Sequence, residues 1–388
     1  MKAYEVHATV TDEVCVAIGQ GASNEYPTLD FVPGTSWWGA LAGMTGIRAG
    51  QIPSQDFMTV FYSGEVVFSN LNPARAGRRA HPIPLSVRTN KSSPGFASDP
   101  PGFTFRSSRT GTDVTLRPKG AVDWLRDGMP KSFEPDLQNM RGWYVGFEAG
   151  PESVDFATVT RGCNEVIDQP GVTAEGQLFS RENLQSGETL QGYLRALSDQ
   201  AEHALESVLA DVIAKQGHQD ADGVITLPFV TVGRAPGAVS LMLFPVPSGA
   251  LPCDCSPKDD DEEILVTCAS DTLLVDSWFA PLCKIPPNML SAHLSDAGHA
   301  VMVEGPIYHF CSMREIAGWN GAYGRPREAE TAIAAGSAFA YCVEWGGLVP
   351  AEKRNRMLRL QQRGLGLRRA EGFGEIRVND PIHWLSQK

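Results

Sequence analysis

The 388-residue sequence lacks any apolar run approaching the roughly 20 residues that a membrane-spanning helix needs; its longest, VSLMLFPVP at 239–247, falls well short. The opening stretch, MKAYEVHATV, alternates like a strand and carries no signal-peptide block, so the reading is a soluble, cytoplasmic protein with no membrane partner. Cysteine is sparse. The eight thiols, at 15, 163, 253, 255, 268, 283, 311 and 342, do not have the dense spacing of a disulfide framework. Cys253 and Cys255 are one residue apart, which suits zinc poorly, so neither metal nor cofactor is expected. Positive charge is also short, 33 Lys and Arg against 45 Asp and Glu, and the net −12 excludes a protein that coats nucleic acid over its whole surface.

What is present is unevenly placed. Between 75 and 141 stand 12 basic and 6 acidic residues, a local surplus of six that leaves −18 for the remainder. That segment reads as built for an anion, with a solvated insertion as the plainer alternative. Hydrophobic content of 42% and charged content of 20% are ordinary for a folded chain, and the length suits two cores.

One order of elements occurs twice. The first unit opens with the strand AYEVHATVTDEVCVA and a short helix, TSWWGALAGM, after VPG. Two strand candidates follow the basic segment, VDFATVTRGCNEVI and GQLFSRENLQSGETLQGYL. SDQAEHALESVLADVIAKQG is the clearest helix, with Ala204, Leu205, Val208, Leu209, Val212 and Ile213 at helical spacing, Ser198 as cap and Gly217 as stop. GVITLPFVTVGR closes the unit. After an acidic linker, where Asp259 to Glu263 reads as a solvated loop, the second unit runs from EILVTCASDTLLV to the helix VPAEKRNRMLRLQQRG and the strand GEIRV. The expected fold is α+β: two tandem ferredoxin-like (RRM-like) domains, 1–245 with a long basic insertion at about 65–148, and 246–388.

In both units glycines and an arginine precede or follow the last strand: VTVGRAPGAVSL with Arg234, and RGLGLRRAEGFGEIRVND at 363–380. Four glycines in so short a span mark positive φ or a close approach. No GKS or GKT follows, and the stretch runs from helix to strand, so the nucleotide and dinucleotide loops are excluded. Backbone N–H groups beside Arg363, Arg368 and Arg369 suit a string of phosphates; a tight turn with a bulge is the structural alternative.

RGLGLRRAEGFGEIRV resembles the C-terminal glycine-rich loop of the RAMP superfamily, the RNA-binding proteins of CRISPR effector complexes. FVPGTSWWGALAG resembles that superfamily's Pro-Gly element; EIAGWNGAYGRPREAETAIAAGSAFAY and TRGCNEVIDQPGVTAEGQLFSRENL resemble segments of the subunits that hold the 5′ handle of the CRISPR RNA. With HPIPLSVRTNK and SDTLLVD, the resemblance is greatest to the foot subunit of type III-D complexes. It implies a non-catalytic subunit that caps the 5′ handle, contacts the large signalling subunit and a backbone subunit, and meets target RNA indirectly, in antiviral defence.

The same resemblance puts Gly364, Gly366, Gly372, Phe373 and Gly374 against the RNA backbone, with Arg368 and Arg369 on its phosphates. It adds Pro33, Gly34, Trp38, Arg161, Arg234, Trp319, Arg325, Arg327, Gly336 and Ser337 as RNA contacts. Trp37 or Trp38 is a candidate for base stacking or for the core, and Arg161 for pairing with Asp168. A RAMP endoribonuclease is the alternative, with His81 and His309 the histidines to test. A tandem ferredoxin-like enzyme on a small acidic substrate is the reading from another class.

Overall fold

A computed structural model describes residues 2–16, 25–47, 51–91, 95–96, 103–106, 109, 113–116, 121–129, 137–147, 150–166, 173–233, 237–247, 262–320 and 325–387. The architecture is α+β. Strand β1, Ala3–Asp12, alternates buried Tyr4, Val6, Ala8 and Val10 with more open Glu5, His7 and Thr9, the period-2 pattern of a sheet covered on one face. Helices α1 (Gly34–Met44), α2 (Gln55–Phe61) and the longer α4 (Asp199–Gln216) supply that cover. Ser198 caps α4 by accepting from the Ala201 N–H at 3.2 Å, and Ala204, Leu205, Val208, Leu209 and Val212 are its buried stripe, as the sequence spacing requires.

The first sheet places β1 between β3, Thr189–Ala196, and β4, Gly237–Val246; β2, Val66–Phe68, lies beyond β3. The order is thus β4-β1-β3-β2, every neighbour antiparallel. Val6 sits opposite both Gly192 and Leu243. The closing strand differs from the expected one: Ile225–Val232 pairs outside β4 as a hairpin, and 237–246 is the segment that reaches β1. Nor do the strand candidates at 154–167 and 176–194 enter one sheet together. Thr158–Val166 and Thr173–Leu184 form a separate hairpin, whereas β3 begins at Thr189. Strands β2 and Asn72–Arg75 lie in the stretch read as insertion yet pair with β3.

The second half repeats this order. Strands β5 (Glu263–Cys268), β6 (Met302–Phe310), β7 (Ala338–Glu344) and β8 (Ile376–Val378) run β8-β5-β7-β6, again antiparallel. Helices α5 (Pro287–Leu294) and α6 (Pro350–Arg363) cover one face, where Ile264, Val266, Phe339, Tyr341, Met357 and Leu360 are buried. Pro350 opens α6 and Gly364, at φ +63°, ends it.

The opposite face of this second sheet is also covered. Leu265, Ala338 and Ala340 pack against Leu125 of α3 (Trp124–Asp127) and against Trp384 of the C-terminal segment. A buried polar chain fastens the same layer: Thr267 Oγ1 lies 2.8 Å from His383 Nε2, and His383 Nδ1 lies 2.6 Å from Asp123 Oδ2. Tyr144 donates to Asp380 at 2.5 Å, and Arg377 Nη1 lies 2.6 Å from His81 Nε2. His81 is therefore a buried strut with a partner. Burial opposes ionisation of Asp380, but Arg377, the Ile382 N–H and the Tyr144 hydroxyl hold its pKa down at about 2.

Candidate nucleic-acid interface

The glycine loop between α6 and β8 sits on the seam between the two halves. Its glycines have positive φ, and the approaching groups are protein. A Cβ on Gly374 would stand 1.8 Å from the Leu365 carbonyl oxygen, one on Gly366 2.2 Å from that of Leu273, and one on Gly372 2.5 Å from Asn70 Oδ1. Gly364 is equally closed, by the Gly374 carbonyl. Asn70 also accepts from the Gly34 N–H at 2.8 Å, and Gly34 lies under the carbonyls of Phe68 and Glu371. The Pro-Gly element and the glycine loop, far apart in sequence, are thus packed against each other, with Pro33 as the residue before α1. The Cβ side of each glycine is thus occupied by protein, while Gly364, Gly372 and Gly374 also line the cleft between the halves.

The arginines of the loop divide into two kinds. Arg368, in the left-handed region at φ +54°, pairs with Glu371 at 2.7 Å and with Glu330, and lies 4.6 Å over the Phe373 ring. Burial would lower its pKa, but the two carboxylates raise it, and the Glu371 carboxyl is held low in turn despite its own burial. Arg368 is therefore engaged within the chain by two carboxylates and the Phe373 ring, while Phe373 also lines the cleft between the halves. Arg369 differs. It donates to the Arg363 carbonyl at 2.9 Å, and among the described residues neither Arg369 nor Arg363 meets a carboxylate. Beside them Arg195 is 5% exposed, stacks 4.9 Å over Tyr193, donates to the Gln362 carbonyl and likewise pairs with no carboxylate among the described residues. A narrow cleft between the halves brings Tyr193, Arg195, Arg363, Arg369 and Phe373 together, with Glu375, whose carboxylate Arg79 engages, also in its lining. Burying a cation without its counter-ion is costly, so this cleft is electrostatically prepared for an anion. Arg363 and Arg369 were named in the sequence beside the glycines, whereas Arg195 was not; a buried arginine on a strand is legible only once its surroundings are assembled.

The basic segment behaves otherwise. Arg79 is bidentate on Glu375 at 2.5 and 2.9 Å across the seam. Burial would raise the Glu375 carboxyl; Arg79 holds it below the ordinary range. Arg109 pairs with Glu263, and Arg126 lies 3.6 Å from the same carboxylate and over Trp384. Arg88 lies 4.4 Å over Trp124. The carboxylates that Arg79, Arg109 and Arg126 meet among the described residues are thus the chain's own, and Glu263, expected in a solvated loop, begins β5.

The remaining expected contacts scatter. Trp37 is fully buried, its Nε1 donating to the Ser69 carbonyl at 2.8 Å, and Trp38 packs edge-on to Phe61 and Tyr62 beside the first core; stacking on RNA by Trp37 is corrected to a core role. Arg161 pairs with Glu13. Arg327 pairs with Glu371 at 3.0 Å, which links the GWN segment to the glycine loop, while Arg325 is exposed on a short strand pair with the backbone of Trp319. Gly336, at φ +84°, is approached by the Ile83 carbonyl and accepts from the Leu85 N–H at 2.8 Å, so its close neighbour is the insertion. Ser337 is buried and accepts from the Ser312 N–H. His309 lies beside Phe339, its pKa lowered by burial and then by Lys284. Arg234, Asp168, Cys253 and Cys255 lie outside the described residues.

No group of metal-binding side chains occurs among the described residues, nor a helix long and apolar enough to cross a membrane. No family model and no curated protein matches the chain. Among solved structures it is similar to a chain of the type III-B Cmr-beta complex bound to cognate target RNA and AMPPnP, with 12% identity and a TM-score of 0.42, over 87% of this chain and 86% of that one. It is similar also to a chain of a Cas6 product complex (12%, 0.28, over 50% and 81%) and of a type IV-B CRISPR complex (11%, 0.28, over 65% and 94%). At these TM-scores, the chemistry of the seam rests on its own residues.

Proposed function

We propose that this protein is a non-catalytic RNA-binding subunit of a type III CRISPR effector complex, built from two ferredoxin-like units and holding the 5′ handle of the CRISPR RNA at the seam between them. The observation that carries the reading is the cleft at Arg195, Arg363 and Arg369, three cations that pair with no carboxylate among the described residues; Glu375, which also lines the cleft, is taken by Arg79. Its cations are of the type that grips phosphate bidentately. The motif resemblance names the partners: the large signalling subunit, a backbone subunit and, indirectly, target RNA.

The test is a binding titration of a handle-bearing RNA over a salt series, with the RNA recovered intact or cut at the end. Replacing Arg363 and Arg369 together by Ala should reduce the salt slope by about 1.4, two single-strand contacts at about 0.7 each, with the melting temperature unchanged. Equal affinity and slope would remove the seam from the interface, and cleavage products formed by the purified chain would overturn the non-catalytic role. Sequencing the RNA that copurifies with the protein and its neighbours tests the handle itself.

A further inference from the structure

The first sheet leaves open the face that the second sheet has covered. On that face β1 contributes Glu5 and His7, β3 contributes Gln191 and Tyr193, and β4 contributes Met242 and Phe244. The strand register makes two rows: Tyr193, Glu5, Phe244 and Gln191, His7, Met242. Residues directly opposite on paired strands share a face, so the six form one contiguous surface. It is closed at the β3 side, where Gln191 and Tyr193 are buried, and opens toward β4, where Met242 is 40% exposed.

Its chemistry is organised. His7 and Phe244 lie with ring centroids 4.7 Å apart and tilted, presenting two ring systems side by side. Glu5 Oε1 is fixed between His7 Nε2, at 2.8 Å, and the Gln191 amide, while its second oxygen engages nothing among the described residues. Along β3, two residues beyond Tyr193, stands Arg195 with the cleft cations Arg363 and Arg369. Stacking surfaces, an unengaged carboxylate oxygen and a line of arginines are the three parts needed to hold an unpaired nucleotide, by ring, base edge and phosphate respectively.

We infer that the open face of the first sheet is a base-stacking platform for single-stranded RNA leaving the seam, with His7 and Phe244 under the bases and Glu5 accepting from an exocyclic amine. This deepens the RNA-binding reading and rests on it. The fixed acceptor makes the platform selective. Adenine and cytosine present an amino donor on the edge that uracil fills with a carbonyl oxygen, so they are favoured over uracil.

The test uses the full chain and labelled oligo(A), oligo(C) and oligo(U) of about ten nucleotides, a length within the span of such platforms. Phe244→Leu and His7→Leu keep apolar volume and remove the rings; each should weaken oligo(A) about tenfold at unchanged salt slope. Glu5→Ala should abolish the preference of the wild type for oligo(A) and oligo(C) over oligo(U). A duplex of the same length should bind without responding to either ring replacement. If the ring variants melt like wild type and bind oligo(A) equally well, while Arg363→Ala with Arg369→Ala weakens it, the platform is wrong and the seam stands. If the wild type binds none of the oligonucleotides, the RNA-binding reading fails and the platform with it.

Discussion

The two halves share a strand order and differ in what became of one sheet face. In the first, the face opposite the helices carries Glu5, His7, Met242 and Phe244 toward solvent. In the second, the equivalent face has small or apolar Leu265, Ala338 and Ala340, and the insertion and the C-terminal segment lie on it. A sheet needs one face buried to be stable; a second buried face makes it a scaffold, and an exposed one with fixed polar groups is free to bind. On the proposed reading the second half supports and the first half recognises, with the glycine loop packed at the contact between them.

The largest way to break that comparison is to uncover the second face. Trp384 is 5% exposed between Leu125 and Leu265. Trp384→Ala should cost about 4 kcal/mol, read from denaturant unfolding, and should speed amide exchange at Leu265 and Ala340. Phe244→Ala, on the open face, should cost under about 1.5 kcal/mol because its ring keeps water on one side. Equal losses at the two sites would mean that the first face is covered too.

Next in size is the loop that joins the halves. Gly374 has φ +71° and the Leu365 carbonyl where a Cβ would stand, so Gly374→Ala combines backbone strain with a collision. We expect a loss of about 3 kcal/mol. Gly39, with nothing within 4 Å of its Cβ position, should accept Ala with no loss or a small gain. A melting series on the two variants checks the contrast.

This pair also marks how far the sequence could be read. Helix α4 was legible from its period, its cap and its stop, because those signals are local. A doubled order of elements was legible in outline only, since the strands read at 154–167 and 225–232 lie elsewhere and α5 was not foreseen; that something approaches the glycine loop was legible too. What approaches was not: Asn70, Leu273 and Leu365 are brought there by tertiary packing that leaves no mark at short range. The basic segment misled for the same reason, since Glu375 and Glu263 lie far along the chain from Arg79 and Arg109. The closing strand was misplaced because two adjacent β-rich runs, 225–232 and 237–246, carry the same alternation, and only pairing to β1 distinguishes them.

Acid should loosen the second half before the first. The Asp380 pKa is depressed to about 2 in the folded protein, against about 3.9 in an unfolded chain. A depressed carboxylate contributes stability that is present above pH 4 and lost as pH falls through 4 toward 2, here about 2 kcal/mol. Glu375, also held low, adds to the loss in the same direction. Asp380→Asn should flatten the stability profile in that window at the cost of a lower plateau near neutrality. A profile of unchanged slope would show that the Arg377 and Tyr144 contacts do not hold the charge.

The smallest effect on stability separates two neighbours. Arg368 and Arg369 are identical in the sequence and adjacent, yet one faces Glu371, Glu330 and the Phe373 ring, and the other lines the cleft and pairs with no carboxylate among the described residues. Arg368→Ala removes a half-buried pair and leaves Glu371 with Arg327 alone, so a loss of about 1 to 2 kcal/mol is expected, with RNA affinity falling only as the folded fraction does. Arg369→Ala should change stability by less than about 0.5 kcal/mol while lowering the salt slope of RNA binding by about 0.7. The two readouts therefore cross: the brace moves the melt and the ligand cation moves the slope. If both replacements moved the slope alike, the loop would present both guanidiniums to RNA, and the pairing of Arg368 with Glu371 would be a resting arrangement that the ligand displaces.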